Sequence, residues 1–293
     1  MPQAVIHGAA VPSTLSADEL HLRSHAGGIE VDPPRVGWRY LSFRALHLDG
    51  SPYSLDPALE HAVVVIAGAG VTVVDASGDG IEVAGRPSPF DALPSACYVP
   101  AGEPSELVGS SSLVAIASSP TSGRSGVARA RVAIRPSDVR IEIRGAGNAT
   151  RQINHIISPD FPADRLEVVE VLTPSGNWSS WPPHKHDVDD MPAEAVLEEV
   201  YYYQFRRREA WGIQRLYRRD RSRDHAWEVR AGEAVLVTDG YHPFVASHGD
   251  DAYYLNALAG DRRTMACSFD PDYDWVRGTW GAVEPDTRVP LVR

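Results

Sequence analysis

Apolar residues cluster along this chain in short runs, and rarely recur at helical spacing. Runs rich in Val, Ile and Tyr fall at 62–66, 71–74, 127–134, 166–172, 200–205, 234–237 and 252–258. Gly and Pro punctuate the chain between them, the pattern of strands separated by turns. A 3.6-residue period is nearly absent; 193–199 offers one or two helical turns. Many short strands predict an all-β chain, a sandwich or a barrel. The pattern also occurs twice. Glu60-His-Ala-Val-Val-Val-Ile leads, after a turn, to Ala96-Cys-Tyr-Val-Pro-Ala-Gly102 and on to Ser105. Glu199-Val-Tyr-Tyr-Tyr leads to Gly232-Glu-Ala-Val-Leu-Val-Thr-Asp-Gly240 and on to His242. This is the order of two tandem small β-barrels of jelly-roll type, over 1–145 and 146–293, with 145–164 as the expected linker.

Composition narrows the class. Gly and Pro number 24 and 23, which suits a chain of short strands. The net charge of −11 argues against a nucleic-acid or anionic-membrane partner, while leaving room for a small anionic substrate in a locally basic pocket. Cys97 and Cys267 stand far apart and form no disulfide framework. The first seven residues lack a charged and apolar leader, and no apolar run reaches the roughly 20 residues of a spanning helix. A soluble, cytoplasmic protein is expected.

The chemistry concentrates between Pro182 and His242. In Pro182-Pro-His184-Lys185-His186-Asp, two histidines two apart share a strand face, with Lys185, the sole lysine of the chain, on the other. On the next strand Glu199, Tyr201, Tyr203 and Phe205 share a face, and His242 follows the Asp239-Gly240 turn. Three neutral imidazoles and one carboxylate suit a divalent transition metal with open positions for substrate oxygens. The predicted ligands are His184, His186, Glu199 and His242. Glu198 is the rival carboxylate, on the opposite face. The acidic stretch 187–197 reads as a solvated loop able to lid the site. His155, His225 and His248 read as loop or satisfied polar histidines, and the Arg-rich stretch 218–223 as a self-neutralising surface loop.

These motifs resemble the cupin superfamily, whose first motif is HxH followed by Glu and whose second is a Gly turn followed by His. The second half keeps both motifs. The first half resembles a degenerate cupin, with Ser105 at the place of the second-motif histidine, which implies a bicupin with its metal site in the C-terminal barrel only. Gly176-Asn-Trp-Ser-Ser-Trp-Pro-Pro-His-Lys-His-Asp, Leu197-Glu-Glu-Val-Tyr-Tyr-Tyr, Gly212-Ile-Gln-Arg-Leu-Tyr, Asp239-Gly-Tyr-His-Pro and Tyr253-Tyr-Leu-Asn-Ala-Leu-Ala-Gly260 are similar to the 5-deoxy-glucuronate isomerases of myo-inositol catabolism. The related 4-deoxy-5-ketouronate isomerases of pectin degradation share the ligand set. Trp181 departs from the family's smaller aromatic.

The resemblance implies aldose–ketose isomerisation of 5-deoxy-D-glucuronate to 5-dehydro-2-deoxy-D-gluconate, assisted by one divalent metal (Zn, Mn or Fe). The alternatives are the pectin-pathway isomerisation and a cupin dioxygenase reaction. Glu199, a metal-bound hydroxide, or Tyr201 and Tyr203 as relays could move the proton. The substrate carboxylate calls for a cation, first Arg215 and second Lys185, with Gln214, Tyr254 and Asn256 as further polar pocket residues. Such proteins associate through sheet edges, so a homo-oligomer is expected, with no nucleic-acid or membrane partner.

Overall fold

The computed structural model describes residues 13–25 and 28–293; the leader-free reading of the first seven residues lies outside them. The described chain is all-β, its helices confined to Ala17–Leu20, Pro33–Val36 and the 3-10 turns Pro136–Asp138 and Asp274–Ala282. No helix among these residues is long and apolar enough to cross a membrane.

A nine-stranded sheet gathers strands between Ile29 and Ile134 around the long Leu59–Asp75 strand. The sequence expectation of two strands there becomes one, because Gly68 and Gly70, at φ of +112° and +106°, let it bend without ending. A seven-stranded sheet runs His21–Leu22, Ala234–Val237, Glu198–Phe205, Ala252–Ala259, Leu166–Thr173, Arg151–Ile157 and Arg140–Arg144. Facing it, a four-stranded sheet (Trp178–Ser179, Phe244–Ala246, Gly212–Tyr217, Asp224–Val229) packs Phe244 on Tyr203 and Tyr254, ring centroids 5.5 and 5.4 Å apart.

Two local expectations fail. Residues 193–199 form no helix: Glu198 and Glu199 already belong to a strand. The expected linker 145–164 contains the wholly buried strand Arg151–Ile157. Its polar residues disguised it. Gln152 is buried and accepts hydrogen bonds from the amides of Leu291 and Val292, and Asn154 donates to Glu170 at 2.8 Å. Buried polar groups satisfied by partners distant in sequence give no local signal.

The two halves share a pairing pattern. His61 pairs with Val99 and Ser118 on its two sides, as Glu199 pairs with Val237 and Leu258. Gly102 and Gly240 follow those second strands at φ of +89° and +91°. This register shifts the sequence reading by one residue: Glu60 corresponds to Glu198, His61 to Glu199, and Pro104 rather than Ser105 to His242. The two leading glutamates do the same work reciprocally. Glu60 accepts hydrogen bonds from the amides of Asp164, Arg165 and Leu166, at 2.7, 2.6 and 2.9 Å, as the chain enters a strand of the second half. Glu198 accepts from Arg39, Tyr40 and Leu41, at 2.7, 2.9 and 2.8 Å, as the chain enters a strand of the first half. Between the halves lies a buried ion pair, Arg86 with Glu170 at 2.7 Å.

Candidate metal centre

One face of the seven-stranded sheet forms the floor of a cavity of about 390 Å³. Glu199 and Tyr201 come from one strand, and Tyr254, Asn256 and Leu258 from its neighbour. The segment around His184 and His186, the stretch Met265–Phe269 and the terminal 3-10 turn with Arg277 and Trp280 close over it. Strand alternation explains which residues reach it: Glu199 and Tyr201 face the cavity, whereas Glu198 points away to its backbone partners. The rival carboxylate is thereby occupied elsewhere.

His186, Glu199 and His242 present ligand atoms all within 4.8 Å of one another, and this is the one such group among the described residues. The His186 Nδ1–H donates to the Leu197 carbonyl (3.0 Å), and the His242 Nδ1–H to the Gly240 carbonyl (3.0 Å). Each bond fixes the ring and turns its Nε2 inward. Both Nε2 atoms approach the same Glu199 oxygen, at 2.9 and 3.4 Å. The His242 Nε2 is buried with no hydrogen-bond partner among the described residues. Although burial opposes it, the hydrogen bond and charge of Glu199 raise His186 above the usual histidine range, so a proton holds this pair together; a divalent metal would take that proton's place and also engage the His242 Nε2, so this donor set fits one. The His184 ring packs edge-on against His242, centroids 4.5 Å apart, and lines the same cavity. Burial, reinforced by the neighbouring imidazoles, holds His184 well below the usual histidine range. Burial also brings His242 down to about 4, so both stay neutral and able to bind metal.

The turn that delivers His242 is built by its neighbours. Gly240 sits at φ +91°, and a Cβ there would meet the Tyr217 carbonyl at 2.5 Å. Its amide donates to Asp187 (2.8 Å), and Asp187 is held by Lys185 (2.5 Å). Lys185 also binds Glu194, which is itself buried and accepts from the amides of Asp187 and Val188. The acidic stretch is therefore a tied scaffold rather than a solvated lid.

The structure brings Tyr201, Tyr254 and Asn256 to the cavity wall beside the three clustered ligands and His184, but four expected site residues lie off it. Lys185 points away into the scaffold just described. Arg215 makes a bidentate pair with Asp224 (2.8 and 2.7 Å) and lines a different, smaller pocket with Trp178 and Tyr273. Gln214 is buried behind the site, donating to the His242 carbonyl (2.8 Å), and Tyr203 donates to Gln214 (2.8 Å). Sequence parity put Tyr203 on the metal face but could not show that four-stranded-sheet residues fill the space over it. Conversely, Arg151, Ser180 and Trp181 line the cavity. Ser180 adopts φ +50°, an uncommon conformation for a non-glycine residue, and its hydroxyl is 2.8 Å from that of Tyr201.

The model of the KduI/IolB family matches residues 19–276. The 5-deoxy-glucuronate isomerase of Geobacillus kaustophilus is 39% identical over 251 residues, covering 85% of this chain and 90% of the relative. That of Lacticaseibacillus casei is 37% identical over 252 residues, covering 84% and 91%. The crystal structure of an IolB-like protein from Salmonella typhimurium superposes with a TM-score of 0.82 at 31% identity, covering 88% of this chain and 99% of that one. The oxalate decarboxylase of Lactobacillus farciminis shares the fold alone, with a TM-score of 0.55 at 14% identity and 90% of each chain covered. The chain belongs to the KduI/IolB family.

Proposed function

We propose that this member of the KduI/IolB family is a metal-dependent 5-deoxy-glucuronate isomerase, converting the aldose 5-deoxy-D-glucuronate to the ketose 5-dehydro-2-deoxy-D-gluconate. The observation that carries the reading is the cluster of His186, Glu199 and His242, of which His186 and Glu199 line a cavity that also holds Tyr201 and Asn256. The names of relatives covered over 84–85% of this chain support the substrate. We further propose a bicupin of two tandem barrels, over 1–145 and 146–293, with the metal only in the second. The short strands His21–Leu22 and Arg140–Arg144 join the second barrel's sheet. In the first barrel, His61 replaces the carboxylate ligand and is taken up by Ser118 and the Asp56 carbonyl. A cytoplasmic homo-oligomer acting on a small sugar acid, without nucleic-acid or membrane partners, completes the reading.

The reaction moves one proton from C2 to C1 and a second from the C2 hydroxyl to the aldehyde oxygen: the C2 hydroxyl becomes a carbonyl, the aldehyde becomes a hydroxymethyl, and nothing is oxidised overall. A divalent metal (Zn, Mn or Fe) held by His184, His186, Glu199 and His242 would polarise the aldehyde and stabilise the developing negative charge. Glu199 is the only carboxylate among the described residues lining the cavity, which makes it the side chain for accepting the C2 proton. Burial, with the Glu199 charge beside it, holds the Tyr201 phenol well above its ordinary value. Tyr201 therefore stays protonated and donates to a substrate oxygen, its hydroxyl positioned by Ser180. The buried Asn256 Nδ2 has no hydrogen-bond partner and is available to a substrate hydroxyl. Tyr203 acts indirectly, holding Gln214 against the His242 carbonyl.

Metal-analysed protein incubated with 5-deoxy-D-glucuronate in deuterated water should lose the aldehyde NMR signal and place deuterium on C1. His186→Ala should abolish this, and oxygen should have no influence. Turnover only of 4-deoxy-5-ketouronate, or only with oxygen consumption, would overturn the assignment.

A further inference from the structure

The proposed substrate ends in a carboxylate, and the cavity wall carries three cations: Arg144, Arg151 and Arg277. Two are already engaged. Arg144 bonds Glu142 at 2.7 and 3.1 Å, and Arg277 pairs with Asp274 at 3.3 Å while lying over the Phe269 ring. Both side chains are also about half exposed, at 41% and 48%. Arg151 differs in every respect. It is 5% exposed and forms no ion pair among the described residues. Its hydrogen bonds run from Nη1 alone, to the carbonyls of Ala149 (3.0 Å) and Trp181 (3.2 Å). Those two bonds hold the guanidinium in place and leave Nε and Nη2 unengaged. Burial lowers it only to about 10, so it remains charged at neutral pH. A buried, oriented and uncompensated guanidinium is costly to maintain, and an anionic occupant removes that cost.

Resting on the isomerase reading above, we propose that Arg151 is the carboxylate anchor of this cavity. It grips the far end of the substrate through Nε and Nη2, while the aldehyde end lies at the His186–Glu199–His242 cluster. This makes Arg151 the residue that selects sugar acids over neutral sugars. The fork geometry of a guanidinium matches a carboxylate with two parallel donors, which a lysine cannot reproduce.

The test compares 5-deoxy-D-glucuronate with the neutral aldose bearing a hydroxymethyl in place of the carboxylate. In Arg151→Gln, kcat/KM for the acid should fall about 100-fold, mostly through KM. The neutral aldose should lose far less, so that discrimination between the two collapses. Arg151→Lys should restore part of the preference for the acid. Calorimetry with the alditol acid, in which the aldehyde is reduced and no reaction is possible, should show the same loss of affinity. Melting temperature and metal content separate this from a misfolded variant. Equal losses on both sugars, or unchanged acid binding in a folded Arg151→Gln protein, would overturn the inference. Wild-type protein inert toward 5-deoxy-D-glucuronate would instead overturn the isomerase reading, and Arg151 would then stand or fall on the calorimetry alone.

Discussion

Replacing Glu167 by Gln should stabilise this protein at neutral pH and leave it nearly unchanged in acid. Glu167 lies on the Leu166–Thr173 strand opposite Leu258, is 1% exposed, and has no hydrogen-bond partner for either carboxylate oxygen among the described residues. Burial pushes its carboxyl up to about 7 from 4.5, against the pull of the Arg263 and His186 charges. The folded pKa is raised, so between those two values the folded protein holds a proton that the unfolded chain releases. Stability therefore falls as pH rises from about 4.5 to about 7 and levels off beyond, while below 4.5 both states are protonated and the penalty vanishes. At about 1.4 kcal/mol per pH unit, the loss on the upper plateau is about 3 kcal/mol, or about 5 °C in Tm for a chain of this size. Gln keeps the shape and cannot ionise. Urea unfolding of chelator-treated protein at steps from pH 4 to pH 8 should give wild-type and Glu167→Gln curves that coincide in acid and separate above pH 5. With metal bound beside His186, the added positive charge favours the carboxylate and the separation should shrink. Parallel curves, or a variant less stable at pH 8, would refute the reasoning.

The reciprocal glutamates should differ in weight. Glu60→Ala strands three backbone amides and the Tyr98 hydroxyl at a site 1% exposed, and should cost about 4 kcal/mol in urea unfolding; Glu198→Ala, whose partners are partly solvated, should cost about half that. Arg86→Met leaves Glu170 charged and buried, and should cost about 3–5 kcal/mol by the same assay, with much of the loss recovered when Glu170→Gln is added. Arg215→Ala removes a pair with Asp224 outside the cavity, so kcat/KM should stay within about twofold of wild type. Chelation of the metal-loaded protein should lower its Tm, and the drop should be absent in His242→Ala, because an ion held only by the folded cluster stabilises only the folded state.

How much of this was legible depended on whether the evidence for a residue is local. His186, Glu199 and His242 could be read because two-residue strand spacing and a Gly turn are local patterns that fix direction. The same parity put Tyr201 beside Glu199, where it lines the cavity. Arg215 misled because its motif neighbours are correct while its partner Asp224 lies on the adjacent strand, a pairing no spacing rule reveals. Arg151 was passed over because its strand, with Gln152 and Asn154 inside, reads as polar linker until Leu291, Val292 and Glu170 supply their partners.

The glutamates that open each half show the same boundary more sharply. Both Glu60 and Glu198–Glu199 stand at strand starts, and the resemblance between them is real, but the sequence alone aligned Glu60 with the metal-facing residue. Strand pairing places Glu60 with Glu198, so the feature shared by the halves is the backbone cap and not the ligand. The cap is a folding element: each half needs the other's glutamate to satisfy three amides at a strand entrance. The position next to it carries no such duty and differs, being Glu199 beside the cavity in one half and His61, held by Ser118 and the Asp56 carbonyl, in the other.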